Sequence, residues 1–194
     1  MKTAEIKAIF DALCPRQVEL LQRIAQAEQV DNSFIRQKYD FDSQEKFSRF
    51  IATRMGYNWN RGRMDLAPHP FTTSFGYGDV RITTRYLETD GMSSLFSTMH
   101  EAGHALYDQG LDPKYRNTSL GRPTSLAVHE SQSRFWENLV GRSEAFWQFA
   151  FPILQMLFPE HLATLSLDQF YRGINRVEPS LIRIEADEAT YNLH

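Results

Sequence analysis

The spacing of hydrophobic residues predicts helices along most of the chain. Apolar side chains recur every three or four residues, the period of one face of an α-helix. The pattern predicts two antiparallel helices that meet at Cys14-Pro15, and a third from about residue 42 to Gly56. The predicted ranges of the other helices are 93–110, 123–140, 143–158 and 166–174, and residues 181–194 continue an apolar periodic pattern.

A short β segment interrupts this helical pattern. Residues 71–75 and 79–87 are rich in β-branched and aromatic side chains, and they flank Gly76-Tyr77-Gly78. Such an arrangement predicts an antiparallel hairpin. Residues 57–70, with their asparagines, glycine and prolines, are predicted to form an irregular surface loop. We therefore expect a mainly α-helical fold with a small antiparallel β hairpin beside the helix that begins near residue 93.

The strongest chemical signal lies in that helix, in the segment His100-Glu101-Ala102-Gly103-His104. Positions four apart lie on one face of a helix, so the imidazoles of His100 and His104 can reach one zinc ion at about 2.0–2.1 Å. Glu101 is placed to hold the water that the metal activates and to accept its proton. The segment predicts a metal-dependent hydrolytic site.

A catalytic zinc site also needs a third protein ligand and an open fourth position. An extended histidine motif would require glycine at 107 and histidine at 110, whereas this chain has Tyr107 and Gly110. The other common solution is a glutamate on a later helix, the gluzincin type of site. Glu130 and Glu137 share a face of the predicted helix 123–140, so spacing alone does not separate them. The density of polar residues around Glu130 favours it as the third ligand.

Composition narrows the possible partners and the compartment. The 194 residues, 42% hydrophobic and 23% charged, suit a single globular domain over 1–194. A net charge of −3 argues against a nucleic-acid partner. The single cysteine, Cys14, permits no intrachain disulfide and fits the cytoplasm, and no secretory signal is visible at the start. The most apolar run, 146–158, is too short to span a bilayer, so we expect no membrane association.

Four segments, in order, resemble the signature motifs of the carboxypeptidase Taq family of metallocarboxypeptidases. They are Asp79-Val80-Arg81-Ile82-Thr83, His100-Glu101-Ala102-Gly103-His104, His129-Glu130-Ser131-Gln132-Ser133-Arg134 and Ile182-Arg183-Ile184-Glu185-Ala186-Asp187. The resemblance covers nearly the whole chain. It implies a mainly helical fold, homodimers, and removal of C-terminal residues from peptide substrates. It would make His100, His104 and Glu130 ligands of zinc, or of Co²⁺ or Mn²⁺, and Glu101 the general base.

The resemblance is to the middle of the family fold. Family members are longer in both directions, and a further motif, Gly-x-x-Gln-Asp-x-His-Trp, lies beyond residue 194. We therefore expect this chain to be the central portion of a metallocarboxypeptidase, truncated at both ends. Two alternatives stay open: a related helical metalloendopeptidase, and an inactive, metal-binding fragment.

An exopeptidase must also recognise a free carboxylate, for which a bidentate arginine is the natural group. Arg183 is the first candidate, with Asp187 or Glu185 placed to orient it. Arg81 is the second, since strand alternation puts it on the same face as Asp79 and Thr83. Two residues are predicted to orient these groups through hydrogen bonds, His129 at the metal ligands and Asp187 at Arg183.

Overall fold

The computed structural model describes residues 2–178, and within them α-helices dominate, as predicted. The predicted segment 181–194, with Arg183 and Asp187, lies outside the described residues. The helices are α1 (Thr3–Gln26), α2 (Phe41–Met55), α3 (Ser93–Gln109), α4 (Leu126–Arg134), α5 (Glu144–Leu157), α6 (Pro159–Leu162) and α7 (Leu167–Ile174), and a π-helix, Phe135–Val140, continues α4. The strands are β1 (Met64–Leu66), β2 (Thr72–Ser74) and β3 (Val80–Thr84). None of the described helices is long and apolar enough to cross a membrane.

The described residues divide into two compact units, one of 2–31 with 175–178 and the other of 32–174. In the first unit the prediction of two helices is wrong, because α1 is one helix with Pro15 inside it. Proline removes one backbone hydrogen bond and strains the preceding turn. Ile6, Leu13 and Leu20, however, lie on one stripe that passes Pro15 without a change of phase, so the helical period is the same on both sides.

In the second unit, α2 ends where the sequence predicts but begins at a different cap. Gly56 has a φ of 104° in the left-handed region, which glycine adopts without strain, and it ends the helix. At the start, the carboxylate of Asp40 accepts a hydrogen bond from the Ser43 N–H, so the cap precedes the predicted Asp42.

The three strands form one sheet in the order β1-β3-β2. The predicted hairpin is confirmed, since β2 and β3 are antiparallel with Thr73 opposite Arg81. Strand β1 corrects the prediction of an irregular loop over 57–70, because it pairs in parallel with β3 and sets Met64 opposite Ile82. Three residues are too few for a period to emerge from the sequence, and this strand depends on its pairing with β3 and on the burial of Met64.

Helix α3 lies at the centre of the second unit. Its first turn is capped by Asp90, whose Oδ1 is 3.0 Å from the N–H groups of Met92 and Ser93. The predicted cap, Ser93 or Ser94, is therefore wrong: Ser94 is buried and donates its hydroxyl to Gln44. The predicted end at Gly110 is confirmed.

Two hydrophobic clusters fix α3 in place. One joins the first half of α3, through side chains such as Leu95 and Met99, to residues of α2, α5 and α7. The other joins Ala102 and Ala105, further along α3, to Val80 and Ile82 of the sheet. The helix that carries the predicted metal ligands is thus held by buried contacts along its length.

Candidate metal centre

Helix α3 presents His100, His104 and Asp108 along one line, because residues four apart lie on the same face. The side chains of the two histidines are 21% and 15% exposed, so both are mostly buried but remain accessible to solvent. Glu101 is 6% exposed.

Helix α4 packs against this line and brings the third predicted ligand to it. The hydroxyl of Ser125 caps α4 by accepting the Val128 N–H, so the helix begins three residues after the predicted Pro123. Glu130 Oε2 lies 3.2 Å from His104 Nε2 and 3.6 Å from His100 Nε2. Each residue offers one ligand atom, and these three atoms lie within 4.8 Å of one another.

The spacing of these atoms suits a divalent metal. Tetrahedral bonds of 2.0–2.1 Å would set neighbouring ligand atoms about 3.3 Å apart, close to the two separations above. Two imidazoles and one carboxylate are also a known donor set of catalytic zinc sites, in which three protein ligands leave one position open. The donor set and its geometry therefore fit the metal that the family resemblance implies.

Gly103 sets the distance between α3 and α4. A Cβ atom at this position would lie 2.7 Å from the Ser133 Cα and 2.8 Å from the Gln132 carbonyl oxygen. Such contacts are far inside van der Waals range, so no side chain fits between the two backbones. Glycine here lets Glu130 approach the two histidines.

The π-helix places Glu137 behind His100. Glu137 Oε2 is 2.8 Å from His100 Nδ1, the ring nitrogen on the other side from the ligand atom. Burial by itself lowers the pKa of His100, but the hydrogen bond that Glu137 accepts from it and the charges of Glu137, Glu101 and Glu130 together outweigh burial and raise it. Of the two glutamates that the sequence left open, Glu130 thus lies among the ligand atoms and Glu137 supports one of the histidines.

His104 has a different partner on its Nδ1 atom. His129 Nδ1 lies 2.6 Å away, and His129 Nε2 is 3.1 Å from Asp108 Oδ1. The edge of the Tyr107 ring packs against His129, with centroids 5.3 Å apart. His129 therefore contacts a predicted ligand from behind and does not belong to the three-residue cluster. No sequence motif marks Asp108, although its spacing of four from His104 places it on the same face of the helix.

Glu101 points towards the sheet and is held there by Thr72. The Thr72 hydroxyl lies 2.6 Å from Glu101 Oε2 and 3.0 Å from the Glu101 carbonyl oxygen. Burial is the largest influence on the pKa of Glu101 and raises it, while the Thr72 hydrogen bond and the two histidines act in the opposite direction. The sequence does not single out Thr72, because only the packing of β2 against β3 and α3 shows which hydroxyl reaches the carboxylate.

The structure does not bring Arg81 to the ligand cluster. Its guanidinium makes two hydrogen bonds of 2.8 Å to Asp79, and both side chains are largely exposed. Thr84 contacts α3 through Thr98, so alternation along β3 places Arg81 on the opposite face of the sheet. Thr83, on the same face as Arg81, bonds to the backbone of Phe71. A role of Arg81, Asp79 and Thr83 in substrate binding stays a prediction.

A helix with two histidines that meets a glutamate from the next helix is an arrangement that could hold a metal ion. The comparisons with known proteins give the family. The whole chain, residues 1–194, matches the model of the carboxypeptidase Taq (M32) metallopeptidases, and the chain belongs to that family.

Curated relatives and solved structures agree with this assignment. The chain is 46% identical over 195 residues to thermostable carboxypeptidase 1 of Thermus thermophilus and 40% identical over 187 residues to carboxypeptidase 1 of Bacillus subtilis. These matches span 100% and 96% of this chain, but only 38% and 37% of the length of the two relatives. The crystal structure of the M32 carboxypeptidase from Deinococcus radiodurans R1 matches 100% of the chain and 39% of that protein, with a TM-score of 0.94 and 45% identity.

Proposed function

We propose that this chain carries the metal centre and the general base of a zinc-dependent carboxypeptidase. The observation that carries the proposal is the convergence of His100, His104 and Glu130 within 4.8 Å, with Glu101 next to the first histidine on α3. His100 Nε2, His104 Nε2 and one Glu130 oxygen would hold the ion. Zn²⁺ is the proposed metal, because two imidazoles and a carboxylate are ligands it favours, and Co²⁺ or Mn²⁺ would be replacements.

A bound metal would polarise the scissile carbonyl and acidify the attacking water. The residues of this chain then handle the proton. Glu101 accepts it from the water and delivers it to the leaving amine, and Thr72 keeps one carboxylate oxygen of Glu101 fixed while this happens. Burial favours the protonated form of this carboxyl group, which helps it act as an acid in the second step.

The substrates in this proposal are peptides with a free C-terminal carboxylate. Arg183, oriented by Asp187, is the first proposed partner of that carboxylate. Arg81 is the second, and a substrate would have to displace its existing pair with Asp79. Homodimers rest on the family resemblance alone, and a cytoplasmic location rests on the single cysteine.

The general base is tested by replacing Glu101 with glutamine in the full-length protein. Glu101→Gln keeps the size of the side chain and removes its ability to take a proton. We expect hydrolysis to fall about 10²–10⁴-fold, the usual contribution of general acid–base catalysis, with one metal ion still bound. Glu144→Gln, an exposed glutamate in the first turn of α5, is the matched control. Turnover at the wild-type rate in Glu101→Gln would reject the assigned role.

A second assay distinguishes removal of terminal residues from internal cleavage. A peptide and the same peptide with a C-terminal amide are compared at equal concentration, with kcat/KM measured for each. The proposed carboxypeptidase cleaves the free acid and loses most of its activity on the amide. Equal cleavage of both peptides would instead support the metalloendopeptidase.

A further inference from the structure

Asp108 is a buried carboxylate that the proposed mechanism does not use. Its side chain is 8% exposed, and it lies near the end of α3, one turn after His104. Its hydrogen-bond partner is Nε2 of His129 on α4, at 3.1 Å. Burying a carboxylate is costly unless it accepts a hydrogen bond, so this contact accounts for its position and also constrains the histidine.

The contact determines where the proton of neutral His129 lies. An ionised carboxylate only accepts hydrogen bonds, so His129 must donate from Nε2–H. A neutral imidazole has one donor and one acceptor, which makes Nδ1 of His129 an acceptor. The nitrogen that faces it, Nδ1 of His104 at 2.6 Å, must then carry a proton.

This chain of two hydrogen bonds leaves a lone pair on Nε2 of His104. That atom faces Glu130 Oε2 at 3.2 Å and is the ligand atom of the proposed centre. The planes of the His104 and His129 rings are only 20° apart, and an N···N distance of 2.6 Å is too short for stacked rings. The two nitrogens therefore meet edge to edge, where an N–H bond can point at a lone pair.

We propose that Asp108 is a positioning residue, which acts through His129 to hold His104 in the tautomer that can bind the metal. Glu137 does the same for His100 with one direct hydrogen bond, so the two ligands reach the same state by different routes. The metal-binding consequence rests on the proposed function, whereas the tautomers are a property of the metal-free protein.

The tautomers are measured first, in the full-length protein after the metal has been removed with a chelator. Long-range ¹H–¹⁵N spectra of the imidazole rings show which nitrogen of each neutral histidine carries the proton. The pH is set about two units above the ordinary histidine pKa of about 6.5, so that free rings are neutral. We expect the proton on Nδ1 of His104 and on Nε2 of His129. A proton on Nε2 of His104 would overturn the proposal without any variant being made.

Two substitutions of Asp108 then separate the hydrogen bond from simple packing. Asp108→Leu fills the space and removes the acceptor, and Asp108→Asn keeps an acceptor oxygen. We expect Asp108→Leu to lose the wild-type tautomers and to weaken binding of Zn²⁺ and Co²⁺ about 10–100-fold, the range typical of partners behind metal ligands. Asp108→Asn should retain most of the affinity. Binding is measured by competition with a coloured chelator.

Asp112→Leu serves as the control, because Asp112 is exposed and pairs with Lys114 outside the site. It should leave the tautomers and the affinity unchanged. Wild-type affinity and tautomers in a folded Asp108→Leu protein would overturn the proposal, as would equal losses in the leucine and asparagine variants. A protein that shows the expected tautomers but binds no metal would contradict the proposed function and leave the hydrogen-bond chain intact.

Discussion

The two flanks of α3 are built from different kinds of side chain. The flank that faces the sheet is mostly apolar, with Ala102 and Ala105 packed against Val80 and Ile82. The flank that faces α4 and the π-helix carries His100 and His104, and it meets the carboxylates of Glu130 and Glu137 from those helices at the short separations described above. One flank holds the helix in place, and the other carries the groups proposed for metal binding.

With this division of its two flanks, one helix can present ligands at fixed distances. Polar side chains contribute less to folding than buried apolar ones, so the stability of this part of the chain must come mainly from the apolar flank. Glu101 joins the two, because it follows a predicted ligand in sequence and points towards the sheet, where Thr72 holds it. Stability and metal affinity should therefore respond to substitutions on different flanks.

The largest effect on stability is expected from Ile82→Ala, on the sheet flank. Ile82 is fully buried, and truncating such a side chain to alanine typically costs about 2–5 kcal/mol of unfolding free energy. Urea denaturation of the metal-free protein measures the loss. The exposed Leu66, truncated in the same way on β1, should change stability by less than about 0.5 kcal/mol.

Weaker metal binding by Ile82→Ala, in protein that is still fully folded, would contradict the division of roles between the two flanks. We expect the affinity for Zn²⁺ in the absence of urea to match that of the wild type, since no ligand or partner of a ligand changes.

The converse is expected for Glu137→Gln, on the other flank. Glutamine keeps the shape but replaces the charged acceptor behind His100, so binding of Zn²⁺ should weaken about 10–100-fold. This corresponds to about 1.4–2.7 kcal/mol. The metal-free protein should lose about 0.5–1.5 kcal/mol of unfolding free energy, less than Ile82→Ala loses, because glutamine keeps the shape and an acceptor oxygen for His100. The affinity is measured by chelator competition. An unchanged value would show that His100 binds the metal equally well without a charged acceptor on Nδ1.

The smallest effect concerns the unfolding free energy at alkaline pH, through Tyr57 in the cluster between the sheet and α3. Burial raises the pKa of Tyr57 from 10.0 to about 12, and its hydroxyl donates to the Val80 carbonyl. A phenol with a raised folded-state pKa stabilises the fold fully below pH 10 and loses that contribution as pH rises through 12. One unit above the unfolded-state value the loss is about 1 kcal/mol.

Unfolding free energies of the wild type and Tyr57→Phe at about pH 9 and pH 11 test this expectation. The wild type should lose more stability between the two than the variant does, and equal losses would exclude Tyr57 as a source. Because Tyr39 and Tyr86 have raised pKa values as well, only the difference between the two proteins is assigned to Tyr57.

Local patterns in the sequence predict the features that depend on a few neighbouring residues. The face shared by His100 and His104, the stop at Gly56 and the β2–β3 hairpin each follow from spacing or from the conformational freedom of glycine. Membership of the family followed from four motifs together, and the comparison over the whole chain confirms it.

Features that depend on contacts between distant segments could not be predicted from the sequence. Strand β1 exists only because β3 pairs with it, and the cap of α3 lies at Asp90 because Ser94 is buried elsewhere. Glu130 and Glu137 are seven residues apart, and no helical period distinguishes them. Their different positions come from the close approach of α3 and α4 and from the π-helix that follows.

The contact at Gly103 also bears on the order in which the protein matures. Two of the proposed ligands belong to one helix, but the third arrives on a second helix after a connecting segment, residues 110–125. Bringing the two ends of that segment together costs chain entropy, and it has to happen before the three ligands are in place. Because the helices touch backbone to backbone, a partly docked pair offers the ion only two imidazoles. Loading of the metal would then mark the moment at which this part of the chain has reached its final packing.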